Sequence, residues 1–502
     1  MPTWLIIVLV VVGFLVIVAI RDLTQKSHSI LRAFPIIGHF RYWLESIGPE
    51  LRQYIVTGND EERPFSRDQR RWVYSSAKQE NAYFGFGTDS NLDSNQHLFI
   101  RHSPFPHQPT VANVDYRIPS LKVLGEWTDR SRAFRPASIV NVSAMSFGSL
   151  SGPAIEALNR GAKIAGCLHN TGEGGISRHH RHGGELIYQL GTGYFGARAS
   201  DGSFSLDKLI ETVESAPVRA IEIKLSQGAK PGLGGVLPGA KVTQEVADAR
   251  GVPVGITVAS PNSHKEFNSV PTMIDFIERI ADATGLPVGI KSAVGDRAFW
   301  PELASEMKRR RAGPDYITID GGEGGTGAAP LVFSDHVSLP FRAGFAQAFR
   351  AFAEIGMHDR VTFIGAGKLG FPGESLLALG LGADMIYVAR EAMMSIGCIQ
   401  AQRCHNGHCP TGIATHNRWL VRGLDPTDKS ARLANYVISL RHELLNLAHA
   451  CGESHPSLVG GEAIDLLNDG NTTEALWDRY DYDSNWLAIA DFDRLAAATL
   501  LT

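Results

Sequence analysis

From Ser138 onward the chain alternates short apolar runs with helix-like stretches, and this alternation limits the fold more than any other feature. The runs are SIVNVSAM (138–145), AIEIKLS (220–226), VGITVAS (254–260), PVGIKSA (287–293), DYITIDG (315–321), VTFIGAG (361–367) and DMIYVAR (384–390). CLHN (167–170) and LIYQL (186–190) are weaker members. Helical patterns such as GPAIEALNRGAKIAG and TMIDFIERIADATG lie between them. Eight or nine strands alternating with helices over ~250 residues predict a (β/α)8 barrel, the TIM barrel of the α/β class. A doubly wound sheet shares the alternation but carries G-x-G-x-x-G after its first strand, and no such fingerprint follows here.

The rest of the chain divides around that barrel, which is expected over residues 137–420. Trp4 to Ile20 is a run of seventeen residues without a charge, and with its flanks it nearly reaches the ~20 residues that span a bilayer. Neither a basic start nor a small-x-small cleavage site marks it as a signal peptide, so residues 1–22 are expected to be an uncleaved anchor. Arg21, Lys26 and Arg32 follow it, which predicts a single-pass membrane protein with its catalytic part on the cytoplasmic side. A buried helix of the soluble fold is the bland alternative. Residues 23–136 are rich in Arg, Pro and aromatics, show no periodic strand pattern, and are expected to be a helical and loop cap on the barrel. Residues 421–502 are expected to be a tail, first helical and then irregular. The net charge of −4 gives no sign of a nucleic-acid partner.

Glycine is in excess, 52 of 502 residues against the usual ~7%. The excess gathers just after strand ends, the catalytic face of a barrel. The first run ends in MSFGS (145–149), CLHN leads into NTGEGG (170–175), and AIEIKLS ends in KLSQGAKPGLGG (224–235). Later come DGGEGGTG (320–327) and GAGKLG (365–370). The last of these reads as a phosphate cradle, closed by Ala389 and Arg390. Lys291, at the end of an apolar run, suits the pyrimidine edge of a flavin, which gains negative charge on reduction. A surface lysine at a strand end is the plain alternative. Lys230 suits a carboxylate and Gln227 a carbonyl, unless their loop is merely solvated. Glu173 reads either as an acid/base or as a loop latch. The run RHHRH (178–182) has no regular ligand spacing and reads as a solvated loop without a metal.

Three of the five cysteines, Cys398, Cys404 and Cys409, fall within twelve residues, spaced C-x5-C-x4-C. So few cysteines in so long a chain do not form a secreted disulfide framework. Zinc knuckles use C-x2-C and four ligands, although His405 or His408 would complete such a set. Three thiolates on a short loop, with Pro410 after the last, suit an iron–sulfur cluster. Spacing alone leaves iron–sulfur, zinc and unliganded thiols open.

Taken in order, MSFGS, NTGEGG, QGAKPGLGGVLPG, Lys291, DGGEGGTGAAP and the C-x5-C-HNGHCPTGIAT segment resemble the FMN-binding synthase domain of the glutamate synthase large subunit, over roughly residues 136–420. The resemblance implies a (β/α)8 barrel, one FMN, and a [3Fe-4S] cluster on Cys398, Cys404 and Cys409. It also implies 2-oxoglutarate beside Gln227 and Lys230, with Glu173 and Lys291 completing the catalytic set. Met145, Ser146, Lys291, Gly321, Gly322, Gly365, Gly367, Ala389 and Arg390 are the expected cofactor contacts. Full glutamate synthase begins with a catalytic cysteine, whereas this chain begins Met1-Pro2, and no amidotransferase or nicotinamide-binding region is expected. External ammonia or an amine, and a separate donor such as a ferredoxin, a reductase subunit or a membrane carrier, are the expected partners. Self-association is compatible with the pattern. The alternatives are an amine or N-alkyl amino acid dehydrogenase on the same FMN barrel, a 2-hydroxy acid oxidase, and a non-catalytic, membrane-tethered zinc-binding barrel. The oxidase would want a His-Arg pair at the last strands, and Arg390 has no such histidine at a strand end.

Overall fold

Eight parallel strands close into a barrel: β1 (Val140–Val142), β2 (His169–Asn170), β3 (Leu186–Leu190), β4 (Val218–Lys224), β5 (Val288–Ser292), β6 (Tyr316–Asp320), β7 (Thr362–Ala366) and β8 (Met385–Val388). Each pairs with the next, and β8 returns to β1 with Ile386 opposite Val140. The structure, a computed structural model, describes residues 2–80, 86–108, 116–470, 472–486, 497 and 499–501. It divides into two units, Met1–Asp68 and Gln69–Thr502, the barrel lying in the second.

The strands read as apolar runs because helices cover one face and the barrel core the other. Ile187, Ile221, Ile223, Ile290, Ile317 and Ile364 are fully buried. A charged side chain sits at the centre of this core. Glu222 of β4 accepts from Asn170 Nδ2 at 2.8 Å, Gln189 Nε2 at 2.7 Å and Thr318 Oγ1 at 2.7 Å, so donors from β2, β3 and β6 satisfy a carboxylate that burial would otherwise penalise. The flanking helices are set by local signals. Ser151 Oγ caps the N-terminus of Gly152–Ala165, and Gly166 ends that helix at φ 63°.

The strand expected at VGITVAS is absent from the barrel. Gly255 turns at φ 72°, Val254 and Ile256 stay exposed, and only Val258–Ala259 forms a strand, antiparallel to Val236–Leu237. The weaker runs supply β2 and β3 in its place. Without the extra strand, GAGKLG follows β7 and Ala389-Arg390 follows β8, the two positions where barrels keep phosphate sites. The expectation of no strand before residue 136 also fails: Leu98–Ile100 pairs antiparallel with Ile464–Leu467, which pairs with Thr473–Ala475.

Two contacts fix the outer layers of the barrel unit. Gly161 lets the helix Pro426–Ala450 approach closely, since a Cβ there would lie 2.8 Å from Leu433. Arg130 ties the segment before β1 to the lower barrel through Glu278, at 2.7 Å, and Asp315, at 3.1 Å. Asp315 is buried and also accepts from Val288 N. Arg130→Met leaves that carboxylate without its cation. The urea midpoint is expected to fall by the equivalent of about 3–5 kcal/mol with an unchanged slope; a loss below ~1 kcal/mol would show that the clamp adds little.

Candidate active site

The loops after β2, β3 and β4 meet around Glu173. Its Oε1 accepts from Lys224 Nζ at 2.9 Å, and the same ammonium donates to Gln227 Oε1 at 2.6 Å. The bare faces of Gly191 and Gly235 make room for the carboxyl: a Cβ at either would come within 2.7 Å of Glu173. Lys230 is almost fully buried and donates to Gly234 O at 2.6 Å. Arg250 is also buried; its Nη2 donates to Phe147 O at 3.1 Å, and its Nε has no partner. Burial alone would raise the Glu173 carboxyl, but Lys224, Lys230 and Arg250 outweigh it and hold the group below its ordinary value. Burial, with Lys224 as neighbour, lowers the Lys230 ammonium. Three largely buried cations thus face one carboxylate.

The loop after β4 is pressed against the loop after β6. A Cβ on Gly228 would lie 1.8 Å from Gly321 O, and Gly228 N donates to Asp320 Oδ2 at 2.9 Å. That carboxylate also pairs with Lys291 Nζ at 3.5 Å, so Lys291 is buried inside the site rather than at the surface. Gly321 and Gly367 abut each other, and Gly321 N donates to Ala366 O at 2.8 Å; these glycines serve close packing of the β6 and β7 ends. Gly322 N donates to Leu339 O, while Gly365 packs against Phe341 and Leu369. Beyond β7 and β8, Lys368 and Arg390 are held below their ordinary values chiefly by burial. Arg390 Nη2 donates to Glu323 O, and Ala389 N donates to Glu391 at 3.3 Å. Two half-buried cations at these strand ends form a donor set that fits the phosphate of a flavin nucleotide.

The first loop is fixed from outside. Met145 O accepts from His180 Nε2 at 3.1 Å, and Gly148 O accepts from His416 Nε2 at 2.9 Å. Ser146 Oγ bonds Ser149 Oγ at 2.9 Å. His180 belongs to the RHHRH run, which is therefore not simply solvated. Ser177 N donates to His180 Nδ1, the ring is completely buried, and burial pushes its pKa down to about 4.

No disulfide joins any of the five cysteines. Among the described residues, no group of three or more His, Cys, Asp or Glu side chains is arranged to hold a metal ion. Cys398, Cys404 and Cys409 are nonetheless electrostatic neighbours. Burial pushes Cys398 up to about 12, and the other two thiols add to the rise. Burial would raise Cys409 too, but hydrogen bonds, first from Ala414 and then from Thr411, bring it below its ordinary value. Lys241, itself buried, donates to Cys404 O at 2.8 Å and Ala414 O at 3.1 Å; burial holds its ammonium below its ordinary value, against the opposing pull of Cys404 and Cys409 as thiolates. Gly327, at the end of the β6 loop, abuts Cys404: a Cβ there would lie 3.0 Å from its carbonyl oxygen. A cluster reaches its ligands across several atoms, so its cysteines stand further apart than those around one ion. Three neighbouring thiols on a looped backbone beside an ammonium fit such an anionic group.

Lys224, Arg250, Asp320 and Lys241 were given no role by sequence, and His180 was read only as part of a solvated run. Lys224 lies inside a strand pattern, and Arg250 ends the short helix Gln244–Arg250 as an ordinary basic last turn would.

Residues 121–454 match the family described as a conserved region in glutamate synthase. The glutamate synthase large subunit-like protein YerD of Bacillus subtilis (strain 168) is 38% identical over 472 residues, 87% of this chain and 89% of that one. An archaeal-type glutamate synthase [NADPH] of Thermotoga sp. (strain RQ2) is 37% identical over 320 residues, 62% of this chain and 59% of its own length, so the match spans about three fifths of that relative. Among solved structures, a mandelate oxidase variant with (S)-mandelic acid aligns over 81% of this chain and 98% of its own at 16% identity and a TM-score of 0.43.

The charge surplus around Glu173 makes opposite demands on two substitutions. Arg250→Met is expected to weaken binding of glutarate, a plain dicarboxylate probe, by about 10- to 100-fold in calorimetric titration. Glu173→Gln, which removes the single opposing charge, is expected to leave that affinity equal or tighter. Equal weakening by both substitutions would show that Glu173 contacts the ligand and does not oppose it.

Proposed function

The chain belongs to the glutamate synthase family, and on that premise we propose that it is a flavin- and iron–sulfur-dependent oxidoreductase that reductively aminates 2-oxoglutarate, or a related 2-oxo acid, using external ammonia and electrons from a separate donor protein. The observation that carries this reading is the excess of buried positive charge around Glu173, which suits a substrate with two carboxylates.

Lys230 and Arg250 would bind the substrate carboxylates, the Arg250 Nε gaining the partner it lacks. Lys224 would stay between Glu173 and Gln227, leaving the Gln227 amide N–H free to meet the 2-oxo group. Attack of ammonia on that carbonyl and loss of water need a group that takes up one proton and returns another. Glu173 is held as the carboxylate by its three cations, and its Oε2 can serve in that role. Lys368 and Arg390 would hold the phosphate of FMN, with Met145, Ser146, Gly321, Gly322, Gly365, Gly367 and Ala389 lining the remainder. Lys291, fixed by Asp320, would favour charge on the ring. When bound, FMN supplies hydride chemistry and a [3Fe-4S] cluster supplies one-electron relay. Cys398, Cys404 and Cys409 would hold the cluster, with Lys241 offsetting part of its charge. The apolar N-terminal helix would anchor the protein in a membrane with the barrel on the cytoplasmic side.

Full-length protein supplied anaerobically with 2-oxoglutarate, ¹⁵N-ammonium and dithionite-reduced viologen is expected to form ¹⁵N-glutamate, and omission of ammonium should abolish it. Cys404→Ser should lose its iron and its donor-driven turnover but keep its flavin. Absence of labelled glutamate from protein carrying flavin and iron would reject this reading.

A further inference from the structure

The N-terminal unit presents a second apolar surface just after its first helix. Helix α1 (Thr3–Thr24) is apolar along its length and outward-facing. After the short helix α2 (Ser29–Ala33) comes α3 (Gly38–Leu51), continued by a π-helical turn over Arg52–Val56. Phe40, Trp43, Leu44, Ile47, Leu51 and Ile55 follow helical spacing and fall on one face. Phe40 is 60% exposed, Trp43 55% and Ile55 70%, and the Phe40 and Trp43 rings stack with centroids 5.6 Å apart. The other face carries Arg41, Tyr42, Glu45 and Ser46. A helix in a soluble fold turns such a stripe toward a core. Here it points outward, and its Phe40 and Leu44 line a cleft with Ile30, Phe34, Ile37 and the charged Arg41 and Glu45.

The stripe is tied to α1. Asp22, near the end of α1, is 2% exposed; it accepts from Ile36 N at 3.0 Å and from His39 Nε2 at 2.9 Å, which binds the last turn of α1 to the first turn of α3. Arg21, Lys26, Arg32, Arg41 and Arg52 outnumber Asp22, Glu45 and Glu50 between residues 21 and 56.

We propose that Ser29–Val56 lies along a membrane surface, with the α3 stripe sunk into the headgroup–acyl boundary and its polar face in water. This rests on the reading of α1 as a bilayer-spanning helix. The occupant of the stripe is anionic lipid rather than protein. The stripe continues directly from the most apolar segment of the chain, it carries the aromatic pair favoured at membrane interfaces, and its surroundings are basic. The Asp22 clamp fixes where the interfacial helix leaves the span.

The test uses full-length protein in phosphatidylcholine–phosphatidylglycerol vesicles brominated at a shallow acyl position. The emission difference between wild type and Trp43→Phe isolates Trp43. The Trp43 component is expected to shift to the blue and lose about half or more of its intensity to bromine, while the protein stays with floated vesicles after an alkaline wash. The double substitution Phe40→Asp and Leu44→Asp should still float but lose the Trp43 quenching. Floating wild type with unquenched Trp43 overturns the interfacial helix and leaves the span intact. Protein that does not float overturns both. Quenching that survives the double substitution shows that the stripe is not the contact and also overturns the proposal.

Discussion

The interaction on which the site depends is the meeting of Glu173 with Lys224, Lys230 and Arg250. Buried like charges repel strongly when water cannot screen them. Lys224 is balanced by Glu173 and by the Gln227 carbonyl, whereas Lys230 leans on one backbone oxygen and Arg250 leaves its Nε unpaired. A chain that tolerates this arrangement is poised for anions. The carboxylate also joins the loops, since Gly191 and Gly235 leave it the space a side chain would fill. The latch reading of Glu173 rests on these contacts.

The cysteine loop is joined to this mouth by packing and by charge. Gly327 places the end of the β6 loop against Cys404, and Lys241, from the long segment between β4 and β5, reaches the same cysteine. The segment that carries Gln227 and Lys230 thus also carries the ammonium beside the thiols. Cys409 is buried and Cys398 and Cys404 are half-buried; as thiolates the three would repel one another, and Lys241 alone would not neutralise them. Residues 227–241 therefore touch both the surroundings of Glu173 and the cysteine loop.

Much of the architecture was legible because a barrel forces a regular alternation on its sequence, and because glycine gathers where backbones meet. Gly228 shows this well, as its close approach to Gly321 admits no side chain. The misread strand at VGITVAS has a physical cause: apolar composition does not report that Gly255 adopts a positive φ or that Val254 faces water. Lys224 was hidden because strand pattern reports burial and not the partner that makes burial tolerable. Arg250 and Lys241 act through contacts more than a hundred residues distant, Phe147 and Cys404, which no local spacing encodes. His180 looked solvated within its charged run, yet Ser177 turns it inward to hold Met145.

The central claim is that the barrel mouth and the cysteine loop form one redox unit. It is tested most directly by absorption and EPR spectra of anaerobically purified full-length protein, with iron and acid-labile sulfide quantified. The account predicts a flavin spectrum, ~3 iron per chain and the signal of an oxidised three-iron cluster. A colourless protein that holds zinc on Cys398, Cys404 and Cys409 would contradict it.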